Sequence, residues 1–297
     1  MDKTVGIIGI GIMGAAMARN LLKDGFRVVG FDVSEAAMQA FAAAGGECAA
    51  SPRDVAEKTR IMITSLPSPA ALRSAATGND GIMTAQGEGQ IVIECSTLPL
   101  DVKQEAFAAL ARRGKVLLDC PVSGTGAQAA RKDLVVFASG DRAAYERCAQ
   151  VFAGMSRAQK YLGAFGNGSK MKFVANHLVT VHNVAAAEAL VLGMKAGLDP
   201  QMVYEVISDS AGSSRMFQVR GPMMVEGRYD IVTATNQTHL KDIGIIGAFA
   251  ASLNFPMPMF NLAAQYYHAA VAQGRGAQDT GAVCAVVESM AGTVRGA

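Results

Sequence analysis

The chain has 297 residues, of which 51% are apolar, enough for one large or two medium domains with a substantial core. Lys and Arg total 27 against 25 Asp and Glu, a net charge of +2. With no basic tail and no interleaving of aromatic with basic residues, nucleic acid is excluded as an expected partner.

The apolar run Val5–Ile8 reads as a strand, and Gly9, Gly11 and Gly14 follow it at once as G-x-G-x-x-G. Met13 to Leu22 then reads as a helix, and a second apolar run, Arg27–Phe31, ends in Asp32. A strand, turn, helix, strand and terminal acid in this order form the dinucleotide-binding fingerprint. Gly9 permits the tight turn, Gly11 lets backbone approach a pyrophosphate, and Gly14 lets the helix pack close to the sheet. The N–H groups of the first helical turn are placed to hold phosphate oxygens. Asp32 is expected to accept hydrogen bonds from the adenosine ribose and to repel a 2′-phosphate, which favours NAD over NADP.

Strands and helices go on alternating. Ser34 caps a helix through Ala44, and Ser51-Pro52 starts a short one. Arg60–Ser65 is a third strand, stopped by Leu66-Pro67, and Ala70–Ala76 is a short helix. Gln90–Glu94 is a strand, and Ser96 to Pro99 turn the chain into a helix reaching Arg113. Lys115–Asp119 and Leu134–Ala138 are further strands, and Asp141–Phe152 is helical. This predicts an open α/β sheet whose strand ends collect the loops on one side.

Near residue 163 the pattern changes. A Gly-rich stretch, Ala164–Lys170, leads into a helical pattern from Ser169 to Gly193, about 25 residues and about 37 Å long. Beyond Asp199-Pro200 the chain reads as helices over 200–209, 215–225, 235–253, 256–273 and 278–291. The expected fold class is therefore α/β, with a Rossmann-type dinucleotide-binding domain over 1–163 and an all-α substrate and oligomerisation domain over 164–297 that includes the interdomain helix. The weakly amphipathic, alanine-rich helices carry an apolar surplus that suits a partner subunit, as in a homodimer or homotetramer. The apolar stretch 243–260 is broken by Asn254, Pro256 and Pro258, so no membrane span of about 20 residues is expected. Five cysteines, at 48, 95, 120, 148 and 284, form no CxxC pair and read as reduced core residues. No cleavable apolar leader precedes the first strand, and the expected location is cytoplasmic.

Three polar segments interrupt this apolar architecture. Asp119 to Gly126 follows a strand end, where Ser123 and the N–H groups of Gly124 and Thr125 are able to cradle a carboxylate. A plain Gly-rich turn accounts for the same residues. In Gly163 to Asn176, Lys172 and Asn176 lie four apart and share a helix face. A lysine near a helix start sits against the helix dipole, which lowers its proton affinity and suits an amine acid–base. A solvated lysine beside a structural asparagine is the alternative. In His239 to Asp242, Lys241 is a candidate for reaching cofactor or substrate, and Asp242 for pairing helices. His177, His182, His239 and His268 are in no metal-ligand spacing, so no metal is expected.

At these residues the chain resembles the β-hydroxyacid dehydrogenase family, that of 3-hydroxyisobutyrate dehydrogenase and 2-hydroxy-3-oxopropionate reductase, essentially end to end. GIIGIGIMGAAMARNL resembles the family opening GxGxMGxxMAxNL. DCPVSGTG resembles DxPVSGG, with Thr125 where the second glycine is usual. GAFGNGSKMKFVAN matches GxxGxGxxxKxxxN, and LKD at 240–242 matches the family's Lys-Asp segment. The resemblance implies that Gly9, Ile10, Gly11, Ile12, Met13 and Gly14 hold the pyrophosphate. It implies that Asp32 selects NAD, that Leu66 and Pro67 lie along the cofactor path, and that Thr97 touches the nicotinamide end. Ser123, Gly124 and Thr125 would bind the substrate carboxylate, and Lys172 would be the acid–base. Asn176 would position the substrate hydroxyl, and Lys241 would contact cofactor or substrate. Arg215, in a loop with Ser213 and Ser214, is a weaker candidate for reading a second polar group. Relatives that reduce imines usually lack the lysine, and 6-phosphogluconate dehydrogenase has a much longer helical domain.

The expected activity is NAD-dependent hydride transfer to or from a small 3-hydroxy acid of the 3-hydroxyisobutyrate type or its semialdehyde. A threonate-like sugar acid is the alternative substrate, as is reduction of 2-hydroxy-3-oxopropionate or succinic semialdehyde. A non-catalytic nucleotide-sensing protein is a different class of reading, and the pairing of Lys172 with Asn176 argues against it.

Overall fold

The computed structural model describes residues 3–293 and 295. The chain forms two compact units, one reaching to Lys172 and the other beginning at Phe173. The division falls within a helix whose first turn is bonded into the first unit.

The first unit opens with β1 (Thr4–Ile8), α1 (Ile12–Lys23), β2 (Arg27–Phe31), α2 (Glu35–Ala43) and β3 (Glu47–Cys48). It continues with α3 (Pro52–Lys58), β4 (Ile61–Thr64), α4 (Pro69–Thr77), β5 (Ile91–Glu94), α5 (Leu100–Ala111) and β6 (Val116–Asp119). The six strands are parallel in the order β3-β2-β1-β4-β5-β6. This is the dinucleotide-binding order, with the crevice where the strand order reverses beside β1. Ser34, Ser51 and Ser68 accept N–H bonds at the starts of α2, α3 and α4, and Pro52 and Pro69 pre-set φ in the last two. Alternate side chains feed two cores, as a parallel sheet covered on both faces requires. Val5, Ile7, Ile63, Ile93 and Leu118 line one face, and Ile8, Met62, Val92 and Leu117 the other.

The register draws one level row across the sheet: Phe31, Ile8, Thr64, Glu94 and Asp119 are successive partners. The loops that carry the candidate residues all start from this row. The edge strand β3 was not anticipated, since Glu47 and Cys48 carry no apolar alternation. It also leaves Cys48 exposed, so only Cys95, Cys120, Cys148 and Cys284 are core residues.

A second, three-stranded sheet extends this unit. It contains β7 (Val122–Ser123), antiparallel to β8 (Val135–Ala138), which runs parallel to β9 (Ala158–Tyr161). Between them lie α6 (Gly126–Ala130), α7 (Arg142–Arg147) and α8 (Ala149–Met155). Only β8 is apolar enough to read from sequence, and the single helix expected over 141–152 is two, joined at Cys148. A bridge between Asp119 and Ser139 links the sheets.

The long helix α9 (Asn167–Lys195) has 29 residues. It is followed by α10 (Pro200–Ser208), α11 (Arg215–Glu226), α12 (Asn236–Ser252), α13 (Pro258–Ala272) and α14 (Val283–Ala291), the last preceded by a 3₁₀ turn at Thr280–Ala282. The second unit is helical as expected, its core built on Leu190, Phe260, Tyr267 and Val283. By length and composition α9 could cross a membrane. Its inner stripe, however, carries the buried Asn176, Thr180 and Asn183, each hydrogen-bonded to a neighbouring helix. That pattern is the packing of a core helix.

Candidate active site

The turn after β1 is shaped for a dinucleotide. Gly9 has φ of +89°, and a Cβ there would strike the Ser65 carbonyl oxygen. A Cβ on Gly14 would strike the Gly9 carbonyl oxygen, so only glycine lets α1 sit this close to the turn. A Cβ on Gly11 would meet nothing within 4 Å, which leaves open approach to the backbone. No side chain caps the start of α1, and its first turn holds no acid. The orphan N–H groups of Ile12, Met13 and Gly14 and the positive end of the dipole therefore remain for an anion. These features fit a pyrophosphate.

Asp32 accepts the Ile10 N–H at 2.6 Å on one oxygen and the Ser34 N–H at 2.8 Å on the other. Ile10, expected among the pyrophosphate holders, thus spends its N–H on Asp32. Leu66 and Pro67 follow β4, and the Leu66 N–H donates to Ser96 Oγ at 2.8 Å. Thr97 is half-buried in the loop after β5. The parallel sheet brings all of these to the same edge.

Ser123 ends the short strand β7, paired with Val135. Gly124 has φ of +136°, and a Cβ there would lie 2.6 Å from Leu134 Cδ2. Thr125 caps α6: its Oγ1 accepts the Gln128 N–H at 3.3 Å, and its own N–H donates to Gln128 Oε1 at 3.0 Å. The Thr125 N–H is therefore committed within its own loop. In the expected cradle of Ser123, Gly124 and Thr125, the Thr125 N–H thus already has a partner in Gln128. The capping box also accounts for threonine where the family pattern has glycine.

Lys172 lies in the second turn of α9, half-buried. Ser169 and Asn176, both buried, stand one turn before and after it on the same face of the helix. Beneath this helix start lies a group that the sequence reading missed. Lys103, fully buried, reaches Glu94 at 2.6 Å and Asp119 at 2.8 Å, both also fully buried. Burial opposes the Lys103 charge, but Asp119 and Glu94 outweigh it and push its proton affinity above the ordinary lysine range. The available signal was two neighbouring predicted strands, each ending in an acid. Register partners in a parallel sheet point the same way, so those acids require a cation between them.

In the second unit, Asn176 Nδ2 donates to Asp242 Oδ2 at 3.0 Å, and Lys241 Nζ lies 3.1 Å from Asp242 Oδ1. Thr180 Oγ1 donates to or accepts from His239 Nε2 at 2.9 Å, and the His239 ring packs on Tyr267. His177 stacks on Phe260. Ser214 caps α11, and the exposed Arg215 begins it. Among the described residues, no three His, Cys, Asp or Glu side chains converge as a metal site.

Residues 4–163 match the NAD-binding domain of 6-phosphogluconate dehydrogenase. Residues 166–287 match the domain described as the NAD-binding region of NADP-dependent 3-hydroxyisobutyrate dehydrogenase. The chain is 35% identical over 284 residues to L-threonate dehydrogenase of Cupriavidus necator, covering 95% of each chain. A crystal structure of 3-hydroxyisobutyrate dehydrogenase from Salmonella typhimurium superposes with a TM-score of 0.85 at 32% identity, covering 95% of this chain and 99% of that one. The Mycobacterium tuberculosis 3-hydroxyisobutyrate dehydrogenase with L-serine gives 0.87 at 28% identity, covering 97% and 99%. An NAD(P)-dependent oxidoreductase acting on an alcohol carbon is the class that fold and sequence define. The chain belongs to the β-hydroxyacid dehydrogenase family.

Proposed function

We propose that this protein is an NAD-dependent dehydrogenase of a small 3-hydroxy acid of the 3-hydroxyisobutyrate type, or a reductase of its semialdehyde. The observation that carries the reading is Lys172 on one face of α9, with Ser169 fixed one turn before it and Asn176 one turn after it. NAD rather than NADP follows from Asp32, whose carboxylate is held at the end of β2 and repels a 2′-phosphate.

A nicotinamide held at the β1–α1 turn would supply or accept the hydride. Ser123 and the Gly124 N–H take the substrate carboxylate and so aim the alcohol carbon. Neutral Lys172 removes the hydroxyl proton in oxidation, and its ammonium returns it in reduction. Asn176, its amide oriented by the Nδ2 bond to Asp242, donates its second Nδ2 hydrogen to the oxygen of the same hydroxyl. No covalent intermediate is required, so positioning carries most of the rate.

Spectrophotometric detection of reduced nicotinamide, with NAD or NADP and a panel of 3-hydroxy acids, tests the reading. Turnover of none of them would overturn it. A threonate-type sugar acid is the second reading, favoured by the 35% identity to L-threonate dehydrogenase, and belongs in the panel. Exposed apolar residues on the helical unit, among them Leu192, Val206 and Leu262, support a homodimer or homotetramer. A monomeric mass in solution would count against it. The cytoplasm, with its reduced thiols, is the proposed location, and fractionation of the source cells tests it.

A further inference from the structure

Glu94 and Asp119 are register partners at the ends of β5 and β6, so their carboxylates point to the same face of the sheet. Lys103, two turns short of the end of α5, is the cation between them, and all three side chains are fully buried. Two carboxylates and one ammonium leave one negative charge enclosed. Buried ions of this kind are poor stabilisers, and apolar side chains of equal volume often serve stability better. Directional bonds are what such a group adds over an apolar core.

Those bonds run to the first turn of α9. Asp119 Oδ2 accepts the Ser169 N–H and Oδ1 accepts the Ser169 hydroxyl, each at 2.7 Å. Ser139 Oγ, itself 3.3 Å from Asp119 Oδ2, accepts the Gly168 N–H at 2.9 Å. A Cβ on Gly168 would strike the carbonyl oxygens of Phe137 and Asp119, so the helix backbone lies directly on the sheet there. Lys172 follows Ser169 by one turn, about 4.5 Å along the axis. A small tilt at Ser169 therefore becomes a displacement of the lysine.

We propose that Lys103 is a positioning residue for Lys172, acting through Asp119 and Ser169. Lys103 anchors the Asp119 carboxylate beside Glu94, the anchored carboxylate holds both donors of Ser169, and this fixes the start of α9. The proposal rests on the acid–base role given to Lys172 above.

The test compares K103M, S169A and the double variant E94Q/K103M, each verified as folded by circular dichroism. In K103M the Asp119 carboxylate loses the bond that anchors it and faces Glu94 with no cation between them. In E94Q/K103M a neutral amide replaces the neighbouring carboxylate, so the like charge beside Asp119 is gone. S169A removes only the hydroxyl bond and is the mildest change. Two readouts are taken: kcat with NAD and the 3-hydroxy acid turned over best, and amide hydrogen exchange of the peptide covering 166–173, which needs no turnover.

In K103M and S169A, kcat is expected to fall about tenfold or more, with exchange in this peptide faster. The affinity for NAD is expected to stay within about twofold. E94Q/K103M is expected to recover most of the rate and the protection, which a merely space-filling role for Lys103 would not produce. Unchanged exchange in K103M overturns the proposal, as does faster exchange with unchanged kcat, or a double variant no better than K103M. A wild-type protein that turns over no hydroxy acid defeats the functional reading, and the proposal falls with it. An active wild type whose variants keep full kcat defeats the positioning role alone.

Discussion

Asn176 Nδ2 donates to Asp242 Oδ2 at 3.0 Å, a bond between α9 and α12 inside the helical unit. A carboxylate only accepts, so this bond decides which end of the Asn176 amide faces Asp242 and leaves the second Nδ2 hydrogen to donate to a hydroxyl oxygen. Asp242→Asn removes that asymmetry. The expected result is a rise in KM for the hydroxy acid of about tenfold, with a smaller change in kcat and unaltered NAD affinity. Steady-state kinetics check it, and a change in kcat alone would contradict it.

Lys172→Ala is expected to lower kcat by about a thousandfold, the scale of a lost general acid–base, with NAD binding retained. A binding titration beside the turnover assay separates the two effects. Wild-type turnover in this variant would remove the proposed proton transfer.

Asp32→Asn keeps an oxygen for the Ile10 N–H and removes the charge that repels a 2′-phosphate. The preference for NAD over NADP, as the ratio of kcat/KM values, is expected to drop about tenfold or more, equivalent to about 1.4 kcal/mol. An unaltered ratio would take Asp32 out of cofactor selection.

Gly124→Ala combines a left-handed φ of +136° with a Cβ only 2.6 Å from Leu134 Cδ2. A loss of about 2 kcal/mol is expected, with a Tm lower by about 4–8 °C. KM for the acid should rise as well, given the carboxylate-binding role proposed for the Gly124 N–H. Calorimetry and kinetics on the same preparation measure both.

Asp279 ties the helical unit together. It pairs with Arg220 at 3.2 Å and accepts the Thr233 N–H and hydroxyl and the Gly281 N–H. Burial opposes its charge, but the Arg220 guanidinium and these donors outweigh burial and hold the carboxyl below its ordinary value of 3.8. With the folded value depressed, the stabilisation is complete above that ordinary value and disappears as pH falls through the lower, folded one. Asp279→Asn is expected to cost about 3 kcal/mol at neutral pH, because Arg220 stays buried without its partner. It should also flatten the acid limb of a stability–pH curve measured by denaturant unfolding. An unchanged limb would show that Asp279 does not drive acid unfolding.

The sequence made the fold legible wherever one local pattern was enough. The apolar runs of β1, β2, β4, β5 and β6, the serine caps and the G-x-G-x-x-G turn each declare themselves within a dozen residues. What stayed hidden depends on distant partners. The strands β7 and β9 are held by pairing with β8 rather than by their own composition. Lys103 reads as an ordinary polar position on a helix until β5 and β6 set two acids side by side beneath it. Thr125 looked like a departure from a glycine pattern until Gln128 completed a cap. The candidate site residues on loops and on α9 were proposed from type, spacing and family resemblance. Their hydrogen bonds, and so the commitment of the Ile10 and Thr125 N–H groups, were not.

The level row from Phe31 through Ile8, Thr64 and Glu94 to Asp119 makes the central sheet unforgiving of insertions. One added residue within β5 would turn Glu94 to the opposite side and leave Lys103 facing a hydrocarbon wall. The same residue added beside the exposed Gly212, between α10 and α11, would lengthen only a surface connection. Variation among descendants of this chain is thus channelled into the rims, where new substrates are met, and away from the floor on which every rim stands.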